Sequence, residues 1–185
     1  MQRGKVVTLD ASATLGAQSL AWTQTGGPTM TLSSTTAAKP TFTYAFMPLP
    51  TASAGNANPL YAPNNTPLTF TLTATPVGGG TVQTDTVVIS PQAETFSNVV
   101  ARYRTGRGEW RVTGSTSILA GQRVTIVLGP NAQGKTIGSA TVDAAGAFSV
   151  RAGRLPDPRT APAQTLVTVI SATGGVASFP LTITP

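Results

Sequence analysis

The sequence contains neither cysteine nor histidine among its 185 residues. Without cysteine, no disulfide and no thiolate metal site can form. Without histidine, the commonest general base and the commonest transition-metal ligand are missing. Charged residues make up only 10% of the chain, and no apolar stretch has membrane-spanning length. Stability must therefore come from hydrophobic cores, for which a chain of this length is sufficient.

The chain is also poor in the residues that build long helices. Glu, Lys, Leu and Arg lose little side-chain freedom in a helix, and they are scarce here. Instead there are 19 glycines and 15 prolines, placed between short runs of β-branched residues. Turn-forming residues between short β-branched runs are typical of β-sandwiches and β-barrels, so the sequence predicts an all-β protein.

Short runs of alternating apolar and polar residues fill the segment 6–44. Alternation over 4 to 8 residues indicates half-buried β-strands, and the antiparallel sheet that they form needs one covered face. Trp22 shares its predicted face with Leu20, so we expect it in the core rather than on a sugar-binding surface. The predicted core-facing sets are Val7 and Leu9; Leu20 and Trp22; Met30 and Leu32; and Phe42, Tyr44 and Phe46.

The first half resembles a known family in the order of its segments LDAS, AWTQTGGP, MTLSS, PTFTY, LTFTLTATPVGGG and DTVVISP. This order is similar to PKD-type, immunoglobulin-like domains, in the variant in which W-x-Q-x-x-G-P replaces W-x-F-G-D-G. The resemblance covers roughly residues 4–91. It implies a β-sandwich of secreted and cell-surface proteins that serves as a spacer or contact module rather than as a catalyst.

The second half resembles bacterial immunoglobulin-like modules through its patterns G-x-W-x-V-x-G and V-D-x-x-G-x-F. We therefore predict two tandem immunoglobulin-like antiparallel β-sandwiches, 1–91 and 92–185, joined by a linker at 91–94, where a proline ends the strand pattern. Beyond the first hairpin, the strands predicted in the second half are 123–128, 136–142, 147–151, 166–171 and 176–183.

Side chains determine the register of that first hairpin, NVVARYR-TGRG-EWRVT. A shift by one residue would bury guanidinium groups and expose two large rings. The predicted opposite pairs are Arg104 with Glu109, Tyr103 with Trp110, and Arg102 with Arg111. We expect Arg102, Arg104 and Arg111 to project from one face and to contact an acidic partner. The alternative is a solvated basic face that aids solubility.

The segment 47–67 interrupts the alternation for about twenty residues, which is long for a loop in a compact domain. Its five prolines favour an ordered conformation. We expect it to fold back over the sheet edge and bury Met47, Leu49, Leu60 and Tyr61. Leu60 and Tyr61 would be covered by the first domain or by a neighbouring chain. The alternative is a contact loop for a partner.

The segment 129–136 reads GPNAQGKT and satisfies the phosphate-binding pattern G-x-x-x-x-G-K-[ST]. A phosphate-binding loop needs a helix directly after it, because the helix N-terminus holds the phosphates. Here the sequence continues with β-branched residues, a glycine and another turn. We therefore interpret it as a hairpin loop between two antiparallel strands.

No other segment predicts catalysis. The six carboxylates are scattered, with no close pair for acid and base work, and without histidine the usual serine triad cannot form. Asp10 is interpreted as a turn residue, since one carboxylate does not make a calcium site. We expect no enzyme activity, no cofactor and no metal.

The positive charge is concentrated in the second half. Residues 93–185 carry nine cationic side chains and four carboxylates, whereas residues 1–92 carry three and two. Eight of the nine cations are arginines, which suit bidentate contacts to carboxylates. An acidic protein neighbour or an acidic surface polysaccharide fits better than nucleic acid, because no aromatic and basic nucleic-acid surface is recognisable.

The sequence thus favours a non-catalytic module with a structural or protein-contact role, as a spacer, adhesion or surface-assembly part. Its expected setting is a secreted or cell-surface bacterial protein, of which the chain would be a mature or excised piece. No membrane insertion is expected. The alternative is a carbohydrate-binding accessory module of a secreted hydrolase. Exposure of Trp22 and Trp110 separates the two, since a sugar binder needs exposed rings.

Overall fold

A computed structural model of the chain describes residues 1–92, 94–118, 121–160 and 162–185. These residues form twelve β-strands and no helix, so the all-β prediction is confirmed. The chain divides into two compact units. Unit 1 consists of Met1–Phe46 and Asn65–Gln92, and unit 2 consists of Met47–Asn64 and Ala93–Pro185.

Unit 1 contains two antiparallel sheets around one apolar core. Its strands are β1 (Val6–Thr8), β2 (Ala17–Gly26), β3 (Thr41–Thr43), β4 (Leu68–Pro76) and β5 (Gln83–Ile89). β1 pairs with β3, and the other three form a sheet in the order β2-β4-β5. The strictly alternating burial along β4 shows how a period of two directs one face inward. The buried core residues are Val7, Leu9, Ala11, Trp22, Phe42, Tyr44, Leu68, Phe70 and Leu72.

Two details of the strand prediction for unit 1 are wrong. Met30 and Leu32 do not lie on a strand, although both pack against the core. The side chain of Gln24 makes hydrogen bonds to this segment that a neighbouring strand would otherwise make. Its Oε1 accepts from the Met30 amide (2.8 Å), and its Nε2 donates to the Pro28 carbonyl (2.7 Å). Phe46 is 49% exposed, since the alternation of β3 ends before it reaches that residue.

Unit 2 is built on a seven-stranded sheet that is nearly closed, like a barrel. Its strands are β6 (Phe96–Arg104), β7 (Glu109–Thr116), β8 (Arg123–Leu128), β9 (Lys135–Thr141), β10 (Ala147–Ala152), β11 (Leu166–Ser171) and β12 (Val176–Thr184). Their order is β10-β7-β6-β12-β11-β8-β9. All neighbours are antiparallel except β6 and β12, which are parallel. The end strands β9 and β10 approach each other closely, so that a Cβ on Gly138 would lie 2.9 Å from Val150 Cγ1.

The register predicted for the first hairpin of unit 2 is confirmed. Tyr103 lies opposite Trp110, and both side chains are buried, with ring centroids 4.9 Å apart. The indole Nε1 of Trp110 donates to the Pro156 carbonyl at 2.8 Å, so the one polar atom of this ring is satisfied in the core.

The long loop packs against a different part of the chain from the one predicted. Residues 47–64 belong to unit 2, whereas the predicted boundary placed them in the first domain. The outer edge of β9 explains this, because it offers backbone groups that the loop satisfies. Thr136 donates to the Asn56 carbonyl and accepts from the Gly55 amide, both at 2.9 Å. Met47 is buried in a small cluster with Val127, Ala132 and Ile170.

Candidate functional site

Three arginines lie side by side on the outer face of unit 2. β7 runs between β6 and β10, and its Arg111 lies opposite Arg102 on one side and Arg151 on the other. All three side chains are exposed. Neighbouring strands are about 4.8 Å apart, so the three Cα atoms fall within about 10 Å. We call Arg102, Arg111 and Arg151 the basic row; two of them were predicted and Arg151 was not.

The carboxylate of Glu109 forms ion pairs with arginines of the basic row. Its Oε1 pairs with Arg111 Nε at 3.3 Å and also with Arg151 Nε. Burial of the Glu109 carboxyl raises its pKa, but the hydrogen bond from Arg111 and the charges of Arg151 and Arg111 lower it, and the net direction is downward. Glu109 therefore stays ionised at neutral pH. Glu109 thus bridges Arg111 and Arg151, the two members of the basic row on β7 and β10.

The charge of this face is not balanced within the described part of unit 2. Arg104 lies opposite Glu109 on the neighbouring strand, which brings a fourth guanidinium to the same face. Glu109 is the only carboxylate in these strand positions, so four arginines share one acid. Like charges directly opposite each other on a sheet are unfavourable. This face can therefore gain free energy from an anionic partner.

The other two predicted contact residues, Leu60 and Tyr61, behave differently from each other. Leu60 is 95% exposed, so the expected cover for it is not provided by this chain. Tyr61 is partly buried against the cluster around Met47, and its hydroxyl donates to the Pro48 carbonyl at 3.0 Å. The backbone carbonyl of Tyr61 accepts from Gln133. Leu60 lies in a turn that the Tyr61 amide closes by donating to the Asn58 carbonyl at 2.9 Å, and this turn leaves its side chain exposed.

The phosphate-binding pattern at 129–136 is part of a hairpin. β8 and β9 pair in antiparallel fashion, with Leu128 opposite Lys135, and the loop between them turns tightly. A Cβ on Gly134 would lie 1.9 Å from the Leu128 carbonyl oxygen, so a residue without a side chain is needed at this point of the turn. The interpretation as a hairpin loop is confirmed. The strand β9 follows the loop, at the position where a phosphate site would need a helix.

The described residues contain no group of three or more acidic side chains that could hold a metal ion. Asp10 caps its own turn by accepting hydrogen bonds from the amide and hydroxyl of Ser12, at 2.8 and 2.6 Å. Lys39 pairs with its other oxygen at 2.9 Å. These hydrogen bonds keep the pKa of Asp10 well below its usual range. The prediction of a turn residue is confirmed.

Sequence reasoning missed the most highly bonded side chain of unit 2. Glu94 had been assigned to the linker, yet its carboxylate accepts five hydrogen bonds. The donors are Thr116 Oγ1, Gln122 Nε2 (2.7 Å), Ser171 Oγ, Thr173 Oγ1 (2.6 Å) and the amide of Gly175 (3.2 Å). All five belong to buried residues. We call this cluster the Glu94 hub; no sequence signal marks it, because its members lie up to 81 positions apart.

Where the structure describes the chain, no helix is long and apolar enough to cross a membrane. No protein-family model matches the chain. No curated protein matches it either.

Proposed function

We propose that this chain is a non-catalytic structural and protein-contact module of a secreted or cell-surface bacterial protein. The basic row carries the proposal: three arginines are aligned across β6, β7 and β10 on an exposed face, and one carboxylate, that of Glu109, pairs with two of them. Guanidinium groups bind carboxylates in a bidentate fashion. The partner is therefore an acidic surface of a neighbouring protein.

The proposed architecture is a pair of immunoglobulin-like sandwiches, the first of PKD type. Support for the second comes from its strand order. If β6 to β12 are taken as strands A, B, C, C′, E, F and G, one side of the sheet reads E-B-A and the other G-F-C-C′. Immunoglobulin-type sandwiches place A, B and E in one sheet and C, F and G in the other.

The competing function, carbohydrate binding, has less support. Trp22 is 7% exposed and Trp110 is fully buried, so neither indole offers a stacking platform. Among the aromatic residues within the described ranges, only Phe46 is strongly exposed. A single ring is a poor basis for a sugar-binding surface. We therefore favour the protein-contact role.

Replacing Arg102 and Arg111 with serine is expected to weaken binding to an immobilised poly-glutamate surface while leaving the fold intact. Exposed ion pairs contribute about 0.2–1 kcal/mol each, so the double variant should bind about threefold to tenfold more weakly. The difference should be largest at low ionic strength, where exposed charges act most strongly. Surface plasmon resonance at several salt concentrations measures it.

The matched control replaces Arg107 and Arg123, which are exposed and lie outside the basic row. This variant loses the same net charge, so it should retain most of the binding. Equal losses in the two variants would mean that net charge alone acts. Unchanged binding of the Arg102 and Arg111 variant at low salt would mean that the basic row is only a solvated face and does not bind a partner. Tighter binding to duplex DNA than to poly-glutamate would also contradict the proposal.

A further inference from the structure

A trough of about 450 Å³ lies on the outer face of unit 2, directly beside the basic row. The residues that continue the row along β7 and β10 line it, in the opposite pairs Thr113 with Ser149 and Ser115 with Ala147. The first of these pairs is two residues from Arg111 on β7 and two residues from Arg151 on β10. Side chains two positions apart on a strand share a face, so the trough and the basic row form one continuous surface.

A β-bulge in β6 forms one side of this trough. The register of β6 against β7 shifts between Ser97 and Val100, and Asn98 within this shift has a φ of 53°. No other non-glycine residue within the described ranges has a positive φ, a conformation that asparagine tolerates better than most residues. Bulges are frequent next to active sites, where they redirect a side chain. Here the bulge brings Asn98 to the side of the trough.

The uncharged polar side chains that line the trough are available to a ligand. They are the hydroxyls of Thr113, Ser115, Thr141 and Ser149 and the carboxamide of Asn98. None of these side-chain groups forms a hydrogen bond to another group in the part of the chain that the structure describes. By contrast, the hydroxyls of Thr168 and Ser178 bond to each other at 2.8 Å. The free hydroxyls and the carboxamide can pair with the N–H and C=O groups that an extended peptide carries along its length.

The two ends of the trough carry opposite charges. One end is the basic row, and Asp143 lines the other end. The Oδ1 of Asp143 accepts from the Ala147 amide at 2.8 Å, which places this carboxylate beside Ala147, four residues from Arg151. Four residues of an extended strand span about 14 Å. Within the described ranges, no cationic side chain forms an ion pair with Asp143.

This distribution of charge distinguishes between classes of anionic partner. An acidic polysaccharide or a nucleic acid that extended from the basic row along the trough would be repelled by the carboxylate of Asp143. A peptide can present an acidic side chain to the row and a basic side chain to Asp143. In an extended segment, residues four positions apart lie on the same face about 14 Å from each other. That separation matches the distance along the strand from the row to Asp143.

We propose that the trough binds an extended segment of the acidic partner protein, with a glutamate or aspartate over the basic row and a lysine or arginine four positions away beside Asp143. The residue midway between the two charges is small and polar, and it faces Thr113 and Ser149. This inference rests on the proposed function, because the basic row anchors the partner in both. It adds a second charge and a fixed spacing to what the partner must carry.

The test uses the acetylated, amidated peptide GETSTKG, in which glutamate and lysine are four positions apart. At millimolar peptide and about 0.15 M salt, which screens long-range attraction, the amide resonances of 111–115 and 147–151 and the Asn98 carboxamide resonance should shift. Peptide GETSKTG has the same composition and charge, but its lysine would point away from the trough in an extended chain. It should bind about threefold more weakly. Peptide GETSTEG, whose second glutamate meets Asp143, should also bind more weakly.

The variant Asp143→Asn should remove the preference for GETSTKG over GETSKTG. Asparagine keeps a side-chain oxygen for the amides of Ala145 and Ala147, so the turn should stay intact, and unchanged hydrogen exchange of these amides checks this. Persistence of the preference in this variant would overturn the proposal. Binding of GETSTEG, or of a galacturonate trimer, at least as tight as that of GETSTKG would also overturn it.

The double variant with serine at positions 102 and 111 distinguishes failure of this inference from failure of the proposed function. If the three peptides bind the wild-type protein equally and all bind the double variant more weakly, the trough is not a binding site, but the contact with an acidic partner stands. If all three bind the double variant as tightly as the wild-type protein, the proposed function fails as well.

Discussion

Replacing Glu94 with alanine is expected to destabilise unit 2 by about 3 kcal/mol. The carboxylate of Glu94 accepts five hydrogen bonds from buried donors, and alanine would leave these donors without that partner. Hydrogen bonds to charged groups contribute about 1.5–3 kcal/mol each, but several of the hub residues also bond to one another, which limits the loss. This is the largest effect that we expect from a single substitution.

Native-state amide hydrogen exchange of β8 and β11, the buried strands of unit 2, measures this loss. Their slowest amides should exchange about 100-fold faster in the variant, which corresponds to about 3 kcal/mol. Glu94→Gln, which keeps one acceptor oxygen, should lose less. Wild-type exchange in Glu94→Ala would show that the hub contributes nothing to stability.

Asp143→Ala is the matched control for the Glu94 hub. Asp143 is also a carboxylate of unit 2, but its Oδ1 accepts only from the nearby amides of Ala145 and Ala147 in an exposed turn. Its loss should cost about 1 kcal/mol. A cost equal to that of Glu94→Ala would mean that the hub is no more important than a local turn.

Replacing Asn58 with alanine is expected to release the loop 47–64 from the rest of unit 2. Asn58 is buried, and its Nδ2 donates to the Gly134 carbonyl (3.0 Å) and to Thr136 Oγ1 (2.9 Å). Its Oδ1 accepts from the Ala52 amide at 3.1 Å. Leaving buried polar groups unsatisfied costs about 1–3 kcal/mol. We expect about 2 kcal/mol here.

The amides of Met47, Gly55 and Asn58 report on this loop, because each donates to a carbonyl elsewhere in unit 2. Their exchange should become about 30-fold faster in the variant, whereas that of β11 should change less. Asn56→Ala is the control: Asn56 is exposed and contributes its backbone carbonyl, which alanine keeps. Equal acceleration in both variants would contradict the role assigned to the Asn58 side chain.

Local patterns were sufficient to predict the strands of unit 2. The predicted segments 123–128 and 166–171 coincide with β8 and β11. The register of the first hairpin followed from a choice between burying two rings and burying three guanidinium groups. A period of two makes every one-residue shift expensive when one face is buried. The same reasoning located two of the three residues of the basic row.

Three features needed the tertiary structure. Arg151 joins the basic row because β10 pairs with β7, and nothing local to Arg151 specifies that neighbour. Residues 47–64 belong to unit 2 because β9 offers them an edge, although in sequence they lie between strands of unit 1. The Glu94 hub likewise depends on which distant strands meet.

The sequence by itself therefore determined the all-β class, most strand positions and the faces on which Tyr103, Trp110 and the arginines lie. The alternation of apolar and polar side chains is a local property, and burial acts on it directly. Only the tertiary structure decided which strands are neighbours, which distant residues form the Glu94 hub and where the long loop lies. Those outcomes arise from pairing between backbone groups, which every residue except proline carries in the same form.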